Sequence, residues 1–213
     1  MSTSLMKSHI HHLILQMALD IKEAMDTNDV DAITTLASNV IATGSVFVEV
    51  GSWKGHSASM IASLFNGTNA HLWCVDHWQG NEGTRLQRKA KENNIYNIFE
   101  SNLRALELWN YITPLKMDSL TGSQEFANES IDFLFIDADH RYQSFLADLQ
   151  AWYPKIRPGG IICGHDCEFK YSKASLELQD RIGKGLTIDF DGSYHAGVIK
   201  GLYDYFQDDY ELF

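Results

Sequence analysis

The chain has 213 residues, with 28 acidic and 17 basic side chains and a formal net charge of −11. A surface of this sign repels phosphate backbones and anionic lipids, so neither nucleic acid nor a membrane is an expected partner. Hydrophobic residues make up 45% of the sequence. No apolar run approaches the roughly 20 residues that a membrane crossing needs. The length suits one α/β domain with a helical extension.

The cysteines and the N-terminal pattern indicate the cellular compartment of the protein. Cys74, Cys163 and Cys167 form an odd, sparse set, which favours a reduced, cytoplasmic setting over a disulfide framework. The apolar run at residues 13–15 is too short for the core of a secretory signal. We therefore expect a cytoplasmic protein, and homo-oligomerisation stays open.

Residues 1–43 are predicted to form a helical extension ahead of a domain at residues 44–213. Within it, residues 5–43 read as two helices, and Asn28 and Asp29 are candidate caps of the second. His9, His11 and His12 do not share one helix face, which favours surface or core roles over a metal site.

From residue 46 onward, strand and helix patterns alternate. Strands are predicted at residues 46–50, 71–75, 112–117, 131–136 and 160–163, and helices at 56–65 and 142–153 among others. Residues 78–110 are expected to hold a loop and two helices. This alternation predicts an α/β fold with a doubly wound, mostly parallel sheet and helices on both faces, because parallel strands need crossover connections.

The last part of the chain has a weaker pattern. Residues 168–195 are predicted as a loop-rich insertion with one candidate strand at 186–190. A helix at 196–206 and a short strand at 210–213 are expected to follow.

Ionisable side chains follow the fourth predicted strand directly: Asp137, Asp139 and His140. Ligands of open α/β sheets bind outside the carboxyl ends of the strands, so these residues stand where a site is expected. The alternative is that a strand-end aspartate merely caps the next helix.

A glycine loop follows the first predicted strand. Gly51 and Gly55 would let the backbone turn sharply and pass close to a ligand. Their spacing is neither the G-x-G-x-x-G of dinucleotide sites nor that of a P-loop. With Glu49 ahead of it, the loop suits a ligand that carries an ammonium and a carboxylate better than a pyrophosphate.

An acid closes the second predicted strand. Asp76 can accept hydrogen bonds from both hydroxyls of a ribose, so with the glycine loop it predicts a nucleoside-containing cofactor. His77 and Trp78 are candidates to flank an adenine, with a core role as the alternative. Asp118 and Ser119 are candidates for the adenine edge, with helix capping as the alternative.

Together these features resemble the class I S-adenosylmethionine-dependent methyltransferases, and within that class the catechol and caffeoyl-coenzyme A O-methyltransferases. The similarity spans residues 44–167 and the late helix. It implies the strand order 3-2-1-4-5 plus edge strands. The cofactor-binding residues that it implies are Glu49, Gly51, Ser52, Gly55, Ser57, Asp76, His77, Asp118 and Ser119.

The resemblance also implies catalytic roles. Caffeoyl-coenzyme A methyltransferases have Asp-Ala-Asp-Lys where this chain has residues 137–140, and their lysine is the general base. His140 takes that position, and an imidazole with the ordinary pKa of about 6.5 accepts a proton near neutral pH. Asp139 is expected to be structural or orienting.

These relatives bind a divalent ion through an aspartate after strand four and an Asp-Asn pair after strand five. The matching residues are Asp137, His165 and Asp166. Magnesium prefers an all-oxygen shell, so the histidine either admits manganese, iron or zinc or indicates that no metal binds.

The expected function is O-methylation of a phenol or catechol, a sugar hydroxyl or a polyketide hydroxyl. S-adenosyl-L-methionine is the expected donor, with magnesium or manganese as the candidate ion. One alternative is a nicotinamide-dependent oxidoreductase, which the missing third glycine of its fingerprint disfavours. Another is a non-catalytic module that binds S-adenosylmethionine. The N-terminal helices and residues 168–195 are expected to form the walls of the acceptor pocket.

Overall fold

The computed structural model describes residues 19–21 and 27–213. Its centre is a five-stranded parallel sheet in the order β3-β2-β1-β4-β5. The strands are β1 (Val46–Val50), β2 (His71–Asp76), β3 (Ile112–Lys116), β4 (Ile131–Ile136) and β5 (Ile156–Gly164). The predicted fold class and central strand order are confirmed.

The α-helices of the described residues are α1 (Thr27–Ser38), α2 (His56–Ala62), α3 (Arg85–Glu92), α4 (Ile95–Ala105), α5 (Ser119–Ser123), α6 (Tyr142–Trp152), α7 (Leu176–Lys184) and α8 (Ala196–Phe206). None of them combines the length and the apolar composition that a bilayer crossing requires. Residues 78–110 hold the two expected helices, α3 and α4.

Alternate side chains of β1 supply two apolar layers. The Phe47 ring packs against Phe65 and Phe133, with ring centroids 4.9 and 5.2 Å away. Val48 and Val50 belong to the opposite layer. Because both faces are covered, the strands are nearly continuous apolar runs, and ligands reach the sheet at the strand ends.

The N-terminal prediction is partly wrong. Residues 19–21 form a turn rather than a helix, since the Asp20 carbonyl accepts a hydrogen bond from the Asn102 side-chain amide at 3.1 Å. The other residues predicted for the first helix, and His9, His11 and His12, lie outside the described ranges. The second helix is confirmed as α1, although it includes Asn28 and Asp29 instead of following them.

Four predictions for the later part of the chain need correction. β5 begins four residues earlier than residue 160, because Pro158 is tolerated on an edge strand and a register irregularity absorbs the glycines. Neither 186–190 nor 210–213 forms a strand. Residues 168–195 contain helix α7, whose N-cap Ser175 accepts a hydrogen bond from the Leu178 amide at 3.2 Å.

The end of β1 touches the end of β4 at Gly51. The Asp137 amide donates to the Val50 carbonyl at 2.8 Å, and the Gly51 amide donates to the Val75 carbonyl at 2.9 Å. Gly51 has a φ of +93°, and a Cβ there would lie 1.9 Å from the Asp137 carbonyl oxygen. Only glycine fits between these two strand ends.

We expect Gly51→Ala to lower the free energy of unfolding by about 3 kcal/mol or more, because a left-handed conformation and a backbone clash act together. Gly67→Ala is a matched control, since Gly67 has a φ of +78° and open space around its Cβ. It should cost only about 1–2 kcal/mol. Urea unfolding measures both, and equal losses would contradict the close approach.

A buried carboxyl lies between α5 and α6. Asp148 is only 5% exposed. Burial raises its pKa to about 7, against the opposing effect of a hydrogen bond with Ser119. The Ser119 hydroxyl also accepts a hydrogen bond from the Trp152 indole at 2.8 Å. Ser119 therefore links the two helices.

Asp148 makes stability depend on pH. Its pKa is about 7 in the folded chain and about 3.9 in an unfolded one. The folded state therefore binds more protons between these values, and the free energy of unfolding falls as pH rises through that window. Asp148→Asn should reduce the slope of the free energy of unfolding against pH by up to about 1.4 kcal/mol per pH unit.

Urea unfolding between about pH 4 and 8 measures this slope for Asp148→Asn and for Asp180→Asn, whose exposed carboxylate pairs with Lys184. The control should follow the unmodified chain. A slope in Asp148→Asn equal to that of the unmodified chain would contradict the burial argument.

Candidate functional site

A cavity of about 530 Å³ opens at the carboxyl ends of the central strands, within the usual size range of ligand pockets. Its lining includes six residues predicted to function: Gly51, Asp76, His77, Asp118, Ser119 and Asp137. The remaining predicted cofactor residues, Glu49, Ser52, Gly55 and Ser57, are not part of this lining. The predicted residues thus fall into two groups: the six that line the cavity, and the four that do not, which are called the supporting group below.

Glu49 leads the supporting group and is fully buried beside the glycine loop. Burial raises its pKa to about 7. Its Oε2 accepts a weak hydrogen bond from Cys74 Sγ at 3.7 Å. Ser52 and Ser57 lie close enough to oppose that shift in pKa, but Glu49 Oε1 and Ser52 Oγ make no aligned hydrogen bond in the described part of the chain. These atoms suit a donor-rich group such as the ammonium of an amino acid.

Gly55 and Ser57 start helix α2. Gly55 is its N-cap with a φ of +88°, and its amide closes a turn onto the Ser52 carbonyl at 2.8 Å. All residues of α2 are buried, including Ser57. Gly55 therefore fixes the direction in which the chain leaves the loop.

Asp76 joins the loop after β1 to the loop after β2. Its Oδ2 accepts a hydrogen bond from the Trp53 amide at 2.8 Å, and its Oδ1 accepts one from the Trp78 amide at 2.6 Å. Burial raises its pKa and the two amides oppose that shift. Each carboxylate oxygen keeps a second lone pair. The ribose role stays a prediction with which this geometry is compatible.

Four residues were predicted for the adenine, and Trp78 is buried in the hydrophobic core, which was its alternative. The other three also make structural contacts. Asp118 caps α5 by accepting hydrogen bonds from the Thr121 amide and hydroxyl, at 2.9 and 2.6 Å. Ser119 links α5 to α6, as described above. His77 Nδ1 accepts a hydrogen bond from the Gln79 amide at 2.9 Å. Capping is therefore observed for Asp118, and adenine contact stays a prediction.

The predicted metal residues come together beside the cavity. Potential ligand atoms of Asp137, His165 and Asp166 lie within 4.8 Å of one another, and so do those of His140, Asp166 and His195. Asp166 belongs to both groups. Its φ is +68°, a left-handed conformation that costs a non-glycine residue of order 1–3 kcal/mol and often marks functional sites.

Three carboxylates that the sequence analysis missed face the site histidines. Asp29 Oδ2 lies 3.2 Å from His165 Nε2, and Asp189 Oδ1 lies 3.2 Å from His140 Nδ1. Glu168 Oε1 lies 2.7 Å from His195 Nδ1. These residues come from α1 and from the segment 168–195. For Glu168 and Asp189 the sequence signal was the density of acids in that segment.

The carboxylates change the titration of the histidines. Burial alone would lower the pKa of His140, but hydrogen bonding with Asp137 and Asp189 and the charge of Asp166 raise it to about 10. Burial also disfavours protonation of His165, yet Asp166 and other carboxylates raise its pKa to about 9. The expectation of an ordinary pKa for His140 is therefore wrong. The carboxylates thus favour the protonated form of both rings.

Asp139 has a separate contact. Both of its carboxylate oxygens accept hydrogen bonds from Arg141 Nε, at 2.9 and 3.0 Å. Burial opposes its ionisation, but Arg141 holds the pKa of Asp139 below its usual range. This pairing supports the structural role expected for Asp139.

Comparisons with solved structures show the same fold. An O-methyltransferase from Bacillus cereus in complex with SAH has a TM-score of 0.55 at 16% identity, covering 95% of this chain and 77% of that chain. The O-methyltransferase TomG from Streptomyces achromogenes, in complex with SAM, has a TM-score of 0.52 at 13% identity, covering 94% and 75%. At such identities the likeness concerns the fold alone.

Two curated proteins are similar in sequence. One, from Acanthamoeba polyphaga mimivirus, is 27% identical over 144 residues, which are 64% of this chain and 58% of the relative. The other, from Sinorhizobium fredii, is 25% identical over 130 residues, which are 58% of this chain and 13% of the relative. This chain thus spans little more than half of the first relative and a small part of the second.

A family model described as "Methyltransferase domain" matches residues 48–167. The match runs from β1 to the segment after β5 and includes the glycine loop, Asp76, Asp137 and Asp166. It covers more than half of the sequence. The chain therefore belongs to this methyltransferase-domain family.

Proposed function

We propose that the chain is an S-adenosylmethionine-dependent O-methyltransferase that acts on a small hydroxylated molecule with the help of a divalent ion. The observation that carries the proposal is the position of Asp137, which lines the cavity and also belongs to the cluster of potential metal ligands. A donor in the cavity and an acceptor at the cluster would meet at the end of β4. Direct transfer depends on such alignment.

The cavity residues would bind and orient the donor. Asp76 would accept hydrogen bonds from the ribose hydroxyls. Gly51 has no side chain, so the loop can lie directly against the Asp137 carbonyl. Glu49 would balance the ammonium. When bound, S-adenosylmethionine would supply an electrophilic methyl group on sulfur. The acceptor oxygen would bond to that carbon as the carbon–sulfur bond breaks, the electron pair of that bond would go to the sulfur of S-adenosylhomocysteine, and the hydroxyl proton would pass to a base or to water.

Asp137, His165 and Asp166 would hold the ion. Carboxylate oxygens and imidazole nitrogens together suit manganese, iron or zinc better than magnesium. Such an ion would polarise the acceptor hydroxyl and lower its pKa. The surrounding acids, Asp29, Glu168 and Asp189, add negative charge that attracts a cation.

His140 was predicted, from the resemblance, to accept the hydroxyl proton of the acceptor. That role stays a prediction, and it requires a neutral ring. In the ion-free chain the carboxylates keep the ring protonated at neutral pH. An ion near Asp137 and Asp166 would offset these charges and favour the neutral ring.

We expect S-adenosylhomocysteine, and not NAD, to raise the melting temperature, because the glycine loop lacks the dinucleotide spacing. Methyl transfer from labelled S-adenosylmethionine is then measured with phenol, sugar and polyketide acceptors and with magnesium or manganese. Product mass and fragmentation locate the methyl group. Stabilisation by NAD alone would support the oxidoreductase alternative. Donor binding without turnover of any acceptor would support a non-catalytic module.

Asp76→Ala tests the cavity as the donor site. It removes the proposed ribose acceptor and leaves two amides without their partner, so donor affinity should fall about tenfold or more. Asp180→Ala is the control, since its exposed carboxylate lies on α7. Calorimetric titration with S-adenosylhomocysteine measures both. Unchanged affinity for S-adenosylhomocysteine in a folded Asp76→Ala chain would show that the donor does not bind in this cavity.

A further inference from the structure

The contacts of His140 indicate a role other than that of a base. We propose that His140 is a ligand of the ion through Nε2, that Asp189 orients its ring, and that the ion is a transition metal rather than magnesium. This inference rests on the metal part of the proposed function. It replaces the base role of His140 and adds Asp189 as a positioning residue.

The distances around His140 Nε2 are the first argument. Nε2 lies 3.0 Å from Asp166 Oδ2 and 3.3 Å from Asp137 Oδ1. Two atoms that each bind one ion at about 2.1 Å are about 3.0 Å apart at an octahedral angle and about 3.4 Å apart at a tetrahedral one. His140 Nε2 is therefore at ligand spacing from each of these carboxylates taken singly, and its potential ligand atoms group with those of Asp166 and His195.

The geometry at His165 is a second argument. His165 Nδ1 lies 2.9 Å from Asp166 Oδ1, yet this buried nitrogen makes no hydrogen bond within the described ranges. Two ligand atoms that point at the same ion lie close together without being aligned for a hydrogen bond. His165 and His140 thus approach opposite oxygens of the Asp166 carboxylate.

The far nitrogen of each ring is a third argument. Metal-bound histidines usually pass their other N–H to a carboxylate or carbonyl, which fixes the tautomer and the ring. Asp189 Oδ1 lies 3.2 Å from His140 Nδ1, and Asp29 Oδ2 lies 3.2 Å from His165 Nε2. His140 Nδ1 and Asp189 Oδ1 are both buried and make no aligned hydrogen bond with the described residues, so a small rotation would pair them.

The same contacts disfavour the base role. A general base must direct its lone pair at the hydroxyl that it deprotonates. His140 Nε2 is directed at Asp137 and Asp166, and its side chain is only 16% exposed. An acceptor hydroxyl would therefore meet the carboxylates and not a free imidazole nitrogen.

His195 does not complete this set. Its Nδ1 lies 2.7 Å from Glu168 Oε1, and its backbone amide donates to the other oxygen of Glu168 at 3.1 Å. The nearest oxygen of Asp166 is 3.6 Å away. His195 contacts the His140 ring edge-on, with centroids 4.7 Å apart, and so packs beside the site.

The donor set decides the class of ion. Imidazole nitrogens mixed with carboxylates match manganese, iron, cobalt or zinc, whereas magnesium demands oxygen ligands and retains several waters. We therefore expect the metal-free chain to bind Mn²⁺, Co²⁺ and Zn²⁺ at least about tenfold more tightly than Mg²⁺.

The experiment measures binding of ions without turnover. The full chain is stripped of metal with a chelator, and Mn²⁺, Co²⁺, Zn²⁺ and Mg²⁺ are titrated by calorimetry, with the visible spectrum of Co²⁺ as a second readout. The variants are His140→Ala, Asp189→Asn and His71→Ala. His71 begins β2 at the opposite end of the sheet and pairs with Thr113.

We expect His140→Ala to weaken transition-metal binding by about 100-fold or more and to change the Co²⁺ spectrum. Asp189→Asn should weaken it by about 10- to 100-fold through the orientation of the ring. His71→Ala should match the unmodified chain. S-adenosylhomocysteine binding, measured on each variant, verifies that the domain is folded.

Two outcomes would overturn the ligand role. His140→Ala could bind both the ions and S-adenosylhomocysteine like the unmodified chain and lose only turnover, as expected of a base. The unmodified chain could also bind no ion and still transfer methyl groups in chelator, which would leave the methyltransferase proposal standing. Conversely, ion binding lost in His140→Ala, in a chain that methylates no acceptor, would support the ligand role and count against the proposed function.

Discussion

The close contact between the ends of β1 and β4 is the constraint on which the rest of the site depends. Gly51 lies against the Asp137 carbonyl with no space for a Cβ, and the Asp137 amide is bonded to Val50. Asp137 is therefore held at the edge of the cavity by backbone contacts. A side chain that must serve both a donor pocket and an ion gains accuracy from such rigid support.

A second constraint is electrostatic. Asp137, Asp166 and Asp189 surround His140, and carboxylates at such distances repel one another unless a cation lies among them. In the ion-free chain, protons on His140 and His165 supply that positive charge. An ion would replace those protons, so its binding should release protons and tighten as pH rises. One cluster can thus exist stably both with and without its ion.

The sequence predicted the parts of the molecule that depend on local pattern. The bounds of β1, β4 and α8 are the predicted ones, because buried parallel strands and an amphipathic helix have clear apolar periodicity. The signal for α7 was present in the Ser175 cap and the apolar Leu178 and Ile182, but the surrounding glycines and acids obscured it. The meeting of Asp137, His165 and Asp166 was also predicted, from the resemblance.

What the sequence did not predict depends on long-range packing. Asp29 reaches His165 from α1, and Asp189 reaches His140 from the segment before α8, across separations that no spacing rule covers. That segment is held by Ile182 and Tyr194, which pack with Ile199 of α8. Its Leu186 carbonyl accepts a hydrogen bond from the Tyr142 amide at 2.9 Å. The proposed ring orientation of His140 thus depends on tertiary contacts.

Helix α8 completes this support. A Cβ on Gly197 would lie 2.2 Å from the His140 carbonyl oxygen, so the helix touches the backbone that carries His140. The segment 168–195, which is expected to form a wall of the acceptor pocket, enters the same helix. A change in that wall would therefore be transmitted to the ring of His140 through Asp189 and α8. Under the proposed function, acceptor selection and ion binding would therefore depend on one packed unit that includes Asp189.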